Sequence, residues 1–329
     1  MPPARLRLKA GSSPRPVPLV IRRDPLSLRE LSVLFSVCFV WGVHFVVIKL
    51  AVGVLPPIFY AGIRMVLVAL ILSPFLTWRK GEMGLVLVGG LCLGAFNYGL
   101  MFSGMKFAPA SAAAIAIELN VPFSTLLAVM FLGDRPGWRR LFGIALAFAG
   151  VAVIALGGSE DGAGGEEAAR IGLGIGLVAA GALSEATGAV IVKRTTAFKP
   201  HELLAWFALV GAVALMTMSF FLEEGQGAAW ASADRTLIVG AILYSALGAS
   251  LFGHTAYYWL LQRLPISMVA PAVLFTTVIA VFSSVFLLGD PFGPRMAAGG
   301  LMTLAGVGVV LFRNVKKQAK NKALLEPQG

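Results

Sequence analysis

Two glutamates, Glu118 and Glu185, are the residues best placed to do chemistry, because each lies inside a long apolar stretch. A carboxyl at membrane depth is costly and marks a ligand site or a proton relay unless an ion pair explains it. Glu118 could bind a proton or the ammonium group of a ligand. The competing reading is a fixed pair with Lys49 or Arg64, which would hold it ionised. Pro122 lies four residues on and has no N–H to offer the carbonyl of residue 118. A kinked backbone with a free carbonyl beside a carboxyl is one expectation there, and a packing kink is the other. Glu185, with Ser184 and Thr187 beside it, either joins such a site or pairs with Lys193, Arg194 or His254. Lys49 and Arg64 either meet a ligand carboxylate, snorkel to headgroups or pair with Glu118.

Histidines and aromatics extend this set. His44 follows Trp41 by three residues, on one helical face, and His254 has Tyr257 and Tyr258 at comparable spacing. Each histidine could titrate near neutral pH or serve as a hydrogen-bonded packing residue. Phe96, Tyr98, Trp41, Tyr257 and Tyr258 could line an amphipathic cavity and hold an ammonium over a ring face. Aromatics at helix ends also form interfacial belts; Phe96 and Tyr98 lie too deep for that.

The elements that carry these residues are membrane spans. The chain has 329 residues, of which 58% are hydrophobic and 13% charged, with mean hydropathy +0.84. Soluble domains carry about a quarter charged residues, so lipid must be the main solvent. A span needs about 20 mostly apolar residues. Ten can be drawn, at 31–52, 58–77, 84–105, 110–132, 138–157, 171–192, 202–222, 236–261, 266–288 and 296–312. The predicted fold class is an all-α integral membrane protein of ten transmembrane helices. Cys38 and Cys92 lie within spans as packing residues without metal-site spacing.

Of the 27 basic residues, 12 lie in tails 1–30 and 313–329. Cytoplasmic loops are enriched in Lys and Arg. With both tails cytoplasmic, the inner loops hold Arg79, Lys80, Arg135, Arg139, Arg140, Lys193, Arg194, Lys199 and Arg263, and the outer loops only Lys106, Arg170, Arg235 and Arg295. Acidic residues show the reverse bias. Basic segments beside membrane helices meet anionic lipid; no folded basic module for nucleic acid is visible.

The chain repeats itself. Shifted by 156 residues, 96–156 lies on 252–312 without a gap, with about a quarter of positions identical. Pro109 meets Pro265, Ser111 meets Ser267, and Leu132-Gly133-Asp134 meets Leu288-Gly289-Asp290. Upstream, Val47-Ile48-Lys49 lies against Ile191-Val192-Lys193. The expected units are repeat one at 31–157, an outward linker at 158–170 and repeat two at 171–312. Each repeat has five helices, an odd number, so the two must be inverted. Inverted repeats permit two mirror-related states, one open to each side, as transporters use.

Trp41-Gly42-Val43-His44-Phe45-Val46-Val47-Ile48-Lys49, Leu55-Pro56-Pro57 and Ala61-Gly62-Ile63-Arg64 resemble the opening of EamA-type exporters of the drug/metabolite transporter superfamily. A second signature runs from Pro109-Ala110 through Phe131-Leu132-Gly133-Asp134-Arg135 to Gly143 and Gly150, and recurs in the second half. The resemblance covers about residues 30–312. It implies a multi-pass carrier of the bacterial inner membrane that exports small metabolites such as amino acids or their derivatives. It also implies a midplane cavity among helices 1, 3, 4, 6, 8 and 9, with the ligand near Glu118, Asn120, His44 and Phe96. The chain looks most similar to cysteine/O-acetylserine exporters. It departs from them at His44, where asparagine is frequent, and at Glu118, where, as at Asn120, amides are usual.

Alternating access with proton coupling through Glu118 is the expected mechanism. The alternatives are a drug or nucleotide-sugar carrier of the same superfamily, and a membrane enzyme or lipid-handling protein. No His-Glu-x-x-His, nucleophile elbow, phosphate loop or paired metal motif is present, so no cofactor or metal is expected. The orientation predicts that a fluorescent protein fused after Gly329 matures in bacterial cells, whereas alkaline phosphatase fused there stays inactive; the opposite pattern would invert the topology.

Overall fold

The computed structural model describes residues 27–132, 137–156, 165–192, 195, 197–264 and 266–325. The basic residues before Ser27, and Asp134, Arg135, Lys193 and Arg194, lie outside that set. Nine long apolar helices are present among the described residues: α1 Leu28–Val52, α2 Pro57–Phe75, α3 Met83–Phe107, α4 Ala110–Phe131, α5 Trp138–Leu156, α6 Gly165–Val192, α7 Pro200–Leu222, α8 Arg235–Leu261 and α10 Pro294–Phe312. The remaining expected span, α9, is two pieces, Ile266–Val273 and Phe275–Leu288.

Local chemistry shifts several ends. A capping box between Ser27 and Glu30 starts α1 ahead of residue 31, satisfying backbone donors that have no intrahelical partner. Helix α6 begins at Gly165 rather than 171, with Glu166 and Glu167 in its first turn, where negative charge meets the positive end of the helix dipole. The α10 helix runs on past Phe312 to Leu325.

The inverted repeat is visible where helices deviate. A π-helical stretch occupies Leu91–Phe96 in α3 and another Tyr244–Gly253 in α8; the 156-residue shift lays the first within the second. In α4 a 3-10 turn covers Ile117–Leu119, and the same shift carries Glu118 onto Leu274, where α9 is broken. Pro122 explains the α4 turn, since the carbonyl of Glu118 has lost its helical donor.

Helices α5 and α10 cross in close backbone contact. A Cβ on Gly143 would meet the carbonyl of Gly306 at 2.9 Å, and one on Gly150 that of Gly299 at 2.5 Å. The shift lays Gly143 on Gly299 and Gly150 on Gly306, so the two contacts exchange under the pseudo-two-fold. In lipid the apolar driving force between helices is absent, and small residues that permit close packing take its place.

Charged side chains tie the helix ends. On the face carrying the α1–α2 turn, Lys49 Nζ donates to the carbonyls of Met105 and Ala108, both at 2.7 Å. Asp290 accepts from the N–H and hydroxyl of Ser111 at 2.8 and 2.7 Å. Glu223 accepts from the N–H groups of Ile58 and Phe59, both at 2.8 Å. These bonds satisfy the last carbonyls of α3 and the first donors of α4 and α2. On the opposite face Arg79 bridges to Glu202 at 3.0 Å. Helices α2 and α7 are thus joined at both ends.

Gly150→Leu should force α5 and α10 apart and destabilise the protein by about 1–3 kcal/mol, the usual range for overpacking. A lower melting temperature in detergent checks this against Gly176→Leu, whose site is open.

Candidate functional site

A cavity of about 650 Å³ occupies the centre of the bundle. Its wall takes residues from every helix except α5. Helices α2 and α7 therefore join the six expected from the family resemblance, through Arg64, Met65 and Val68 and through Leu203, Leu204, Phe207 and Ala208. Leu311 of α10 adds an edge. Leu203 begins the second turn of α7 and Val192 ends α6, so the cavity extends toward the face carrying the α2–α3 loop. Toward the other face, Ile48, Ala51, Phe102, Met105 and residues Ala110–Ala116 are buried and close it.

Trp41, His44, Tyr98, Glu118, Asn120, Glu185, His254, Tyr257, Tyr258 and Arg64 all line this cavity. Glu118 Oε1 accepts the hydroxyl of Thr277 at 2.5 Å. Among the described residues it has no lysine or arginine partner: Lys49 is engaged with the α3 carbonyls and Arg64 with Ser250. Glu185 accepts from the amides of Asn97 and Asn120 at 3.3 and 3.2 Å. His254 bonds instead to its own helix, its Nδ1 2.9 Å from the Ser250 carbonyl. The cavity therefore holds two carboxyls whose hydrogen-bond partners are neutral.

Three expected residues take other places. Phe96 is 44% exposed on the outside of α3; one residue along, about 100° around the helix, buried Asn97 reaches the cavity instead. Pro122 shapes the backbone below Glu118 and does not line the wall. Lys49 neither snorkels nor pairs with Glu118; it caps α3 from α1.

The π-helical stretch of α8 organises the opposite wall. Ser245 Oγ lies 2.9 Å from His44 Nε2 and 2.6 Å from the Tyr60 hydroxyl. Ser250 donates to the Ser245 carbonyl at 2.9 Å and accepts from Arg64 Nε and Nη2 at 3.2 and 2.9 Å. Trp41 Nε1 donates to the Ala249 carbonyl at 2.9 Å, and its ring packs on His254 and Tyr257. This approach needs Gly253, since a Cβ there would collide with the indole. The wider turn leaves α8 carbonyls available to side chains, as π segments at functional sites do.

Asn97, Thr277, Tyr60, Ser245 and Ser250 escape a reading of the sequence. Asn97 carried a usable signal, an amide in a span. The serines and the threonine did not, because a hydroxyl in a helix is ordinarily satisfied by its own backbone.

Residues 28–156 and 172–312 each match the EamA-like transporter family. The chain is 30% identical over 283 residues to a probable amino-acid metabolite efflux pump of Salmonella typhimurium, covering 84% of this chain and 92% of that one. It is 29% identical, over the same shares, to a protein of that description from Escherichia coli. A solved structure described only as "Crystal structure of protein" superposes with TM-score 0.58 at 17% identity, covering 88% of this chain and 99% of its own; that likeness bears on the fold alone.

Ser245→Ala should leave His44 Nε2 short of its buried partner, at about 1–3 kcal/mol for the unsatisfied group, while the Tyr60 hydroxyl keeps the Ala241 carbonyl at 3.2 Å. Ser32→Ala, on the exposed side of α1, should change little, and thermal unfolding of the two variants distinguishes them.

Proposed function

The chain belongs to the EamA-like transporter family, and from that premise we propose that it exports amino acids or their derivatives across the bacterial inner membrane by alternating access, coupled to protons. The relatives named as amino-acid metabolite efflux pumps support the substrate class. The distribution of Lys and Arg supports cytoplasmic termini. With that orientation the cavity reaches the cytoplasmic face and is closed outside by Lys49, Asp290 and the buried start of α4, the arrangement of a carrier waiting to load.

The observation that carries the reading is the pair of carboxyls in the cavity, neither of them bonded to a cation among the described residues. A carboxylate locked to lysine or arginine stays ionised; one held by a hydroxyl or by amides remains able to exchange a proton or meet an ammonium. Glu118 sits at the broken turn of α4 and bonds across to the second half of α9. Rocking one repeat against the other changes that contact, which links occupancy of the carboxyl to conformation. Glu185 lines the same cavity from α6. The nucleotide-sugar alternative would be favoured by a pair of lysines in the cavity, and Arg64 is the single lysine or arginine among the described cavity residues.

Cells carrying the wild type should export labelled cysteine, threonine or aromatic amino acids faster at acidic external pH, since entering protons drive the exit. Glu118→Gln should reduce export by at least about tenfold and remove its pH dependence, with membrane abundance unchanged. Undiminished pH dependence in that variant would show that Glu118 is not the coupling group.

A further inference from the structure

Arg64 is the residue that the coupling scheme leaves unused. It lies seven residues into α2, about 10 Å from the helix start at 1.5 Å per residue, and is only 2% exposed. A desolvated guanidinium at that depth calls for a counter-charge. Among the described residues it has none. Its Nε and Nη2 both go to one neutral oxygen, Ser250 Oγ. Its plane lies over Tyr98, with the guanidinium carbon 4.2 Å from the ring centre, and 5.7 Å from that of Phe102. Its Nη1 is buried and has no acceptor among the described residues.

The surrounding groups hold the arginine without answering its charge. The Ser250 hydroxyl proton is directed to the Ser245 carbonyl, so both arginine nitrogens find an oriented lone pair. Ring faces attract a cation but accept no hydrogen bond in the guanidinium plane. The opposite charges are kept elsewhere: Glu118 is held from α9 by Thr277, and Glu185 from α3 and α4 by amides. An Arg–Glu pair would have been the cheapest arrangement for an empty protein, and the fold holds the partners apart.

We propose that Arg64 is the anchor for a substrate carboxylate. The free Nη1 and the guanidinium edge suit a planar anion, which arginine binds better than a point cation does. With the carboxyls on the other walls available for an ammonium, the cavity complements a zwitterion with a free α-carboxylate. Esters, amides and decarboxylated amines of the same side chain are rejected, because they leave the guanidinium unanswered in a dry site. The inference rests on the reading that this cavity is the transport site.

The test uses the full chain in liposomes preloaded with unlabelled amino acid, following counterflow of labelled cysteine, threonine or phenylalanine. For whichever is exchanged, the unlabelled acid should compete at least about tenfold better than its amide or methyl ester. Arg64→Gln should erase that preference, Arg64→Lys should restore part of it, and Ser250→Ala should raise KM for the acid more than it lowers the maximal rate. If Arg64→Gln does not fold, as judged by gel filtration, the lysine and serine variants carry the comparison. Equal competition by acid, amide and ester in the wild type overturns the anchor while leaving amino-acid transport standing. No exchange of any labelled amino acid overturns both.

Discussion

The close crossing of α5 and α10 is the contact on which the rest of the bundle depends. Four glycines bring backbone against backbone there, in a solvent that gives helices no hydrophobic reason to associate. Because the four exchange under the repeat symmetry, the crossing puts the two halves back to back around one axis. Helices α2 and α7 form a second cross-repeat pair, tied by Glu223 at one face and by Arg79 and Glu202 at the other. With these two pairs as supports, the remaining six helices surround a cavity that α2, α7 and the edge of α10 also line.

That cavity is built from departures from regular helix. The π stretches in α3 and α8, the 3-10 turn in α4 and the break in α9 occur at depths that the repeat relates to one another. Irregular backbone is tolerated within a bilayer only where protein or a polar cavity satisfies it. Here the satisfaction is explicit: side chains of Trp41, Ser250 and His254 take up carbonyls of α8. The same irregularities aim Asn97, Glu118, Ser250 and Thr277 at one space. Site and symmetry therefore have one origin, since a duplicated weak point in each half meets its mirror image at the midplane.

The arrangement of charge follows from that geometry. Arg64, Glu118 and Glu185 stand on three different helices, each held by neutral partners from a neighbour. Holding opposite charges apart in a low-dielectric space stores electrostatic energy that a ligand of matching polarity releases. An internal ion pair would be more stable and would bind nothing.

The sequence by itself determined the solvent, the ten spans, the inverted repeat and the family, because these are one-dimensional properties. Bilayer thickness sets how long an apolar run must be, and a duplication stays legible as a fixed offset between like residues. Pro122 likewise announced the disturbed turn at Glu118. What each polar side chain does was decided by tertiary structure. Lys49 reads as a membrane-anchoring or ion-pairing lysine until α3 ends beside it, 56 residues away in sequence. Asn97 takes the place expected of Phe96 because a π turn alters the rotation of every residue after it. The partners of Arg64 and Glu118 lie 186 and 159 residues distant, and the hydroxyls that serve them look, in sequence, like any serine or threonine satisfied by its own helix. Which carboxyls and which arginine stand without a counter-charge among the described residues depends on helix rotation and contact across the two-fold, and no local pattern of residues encodes either.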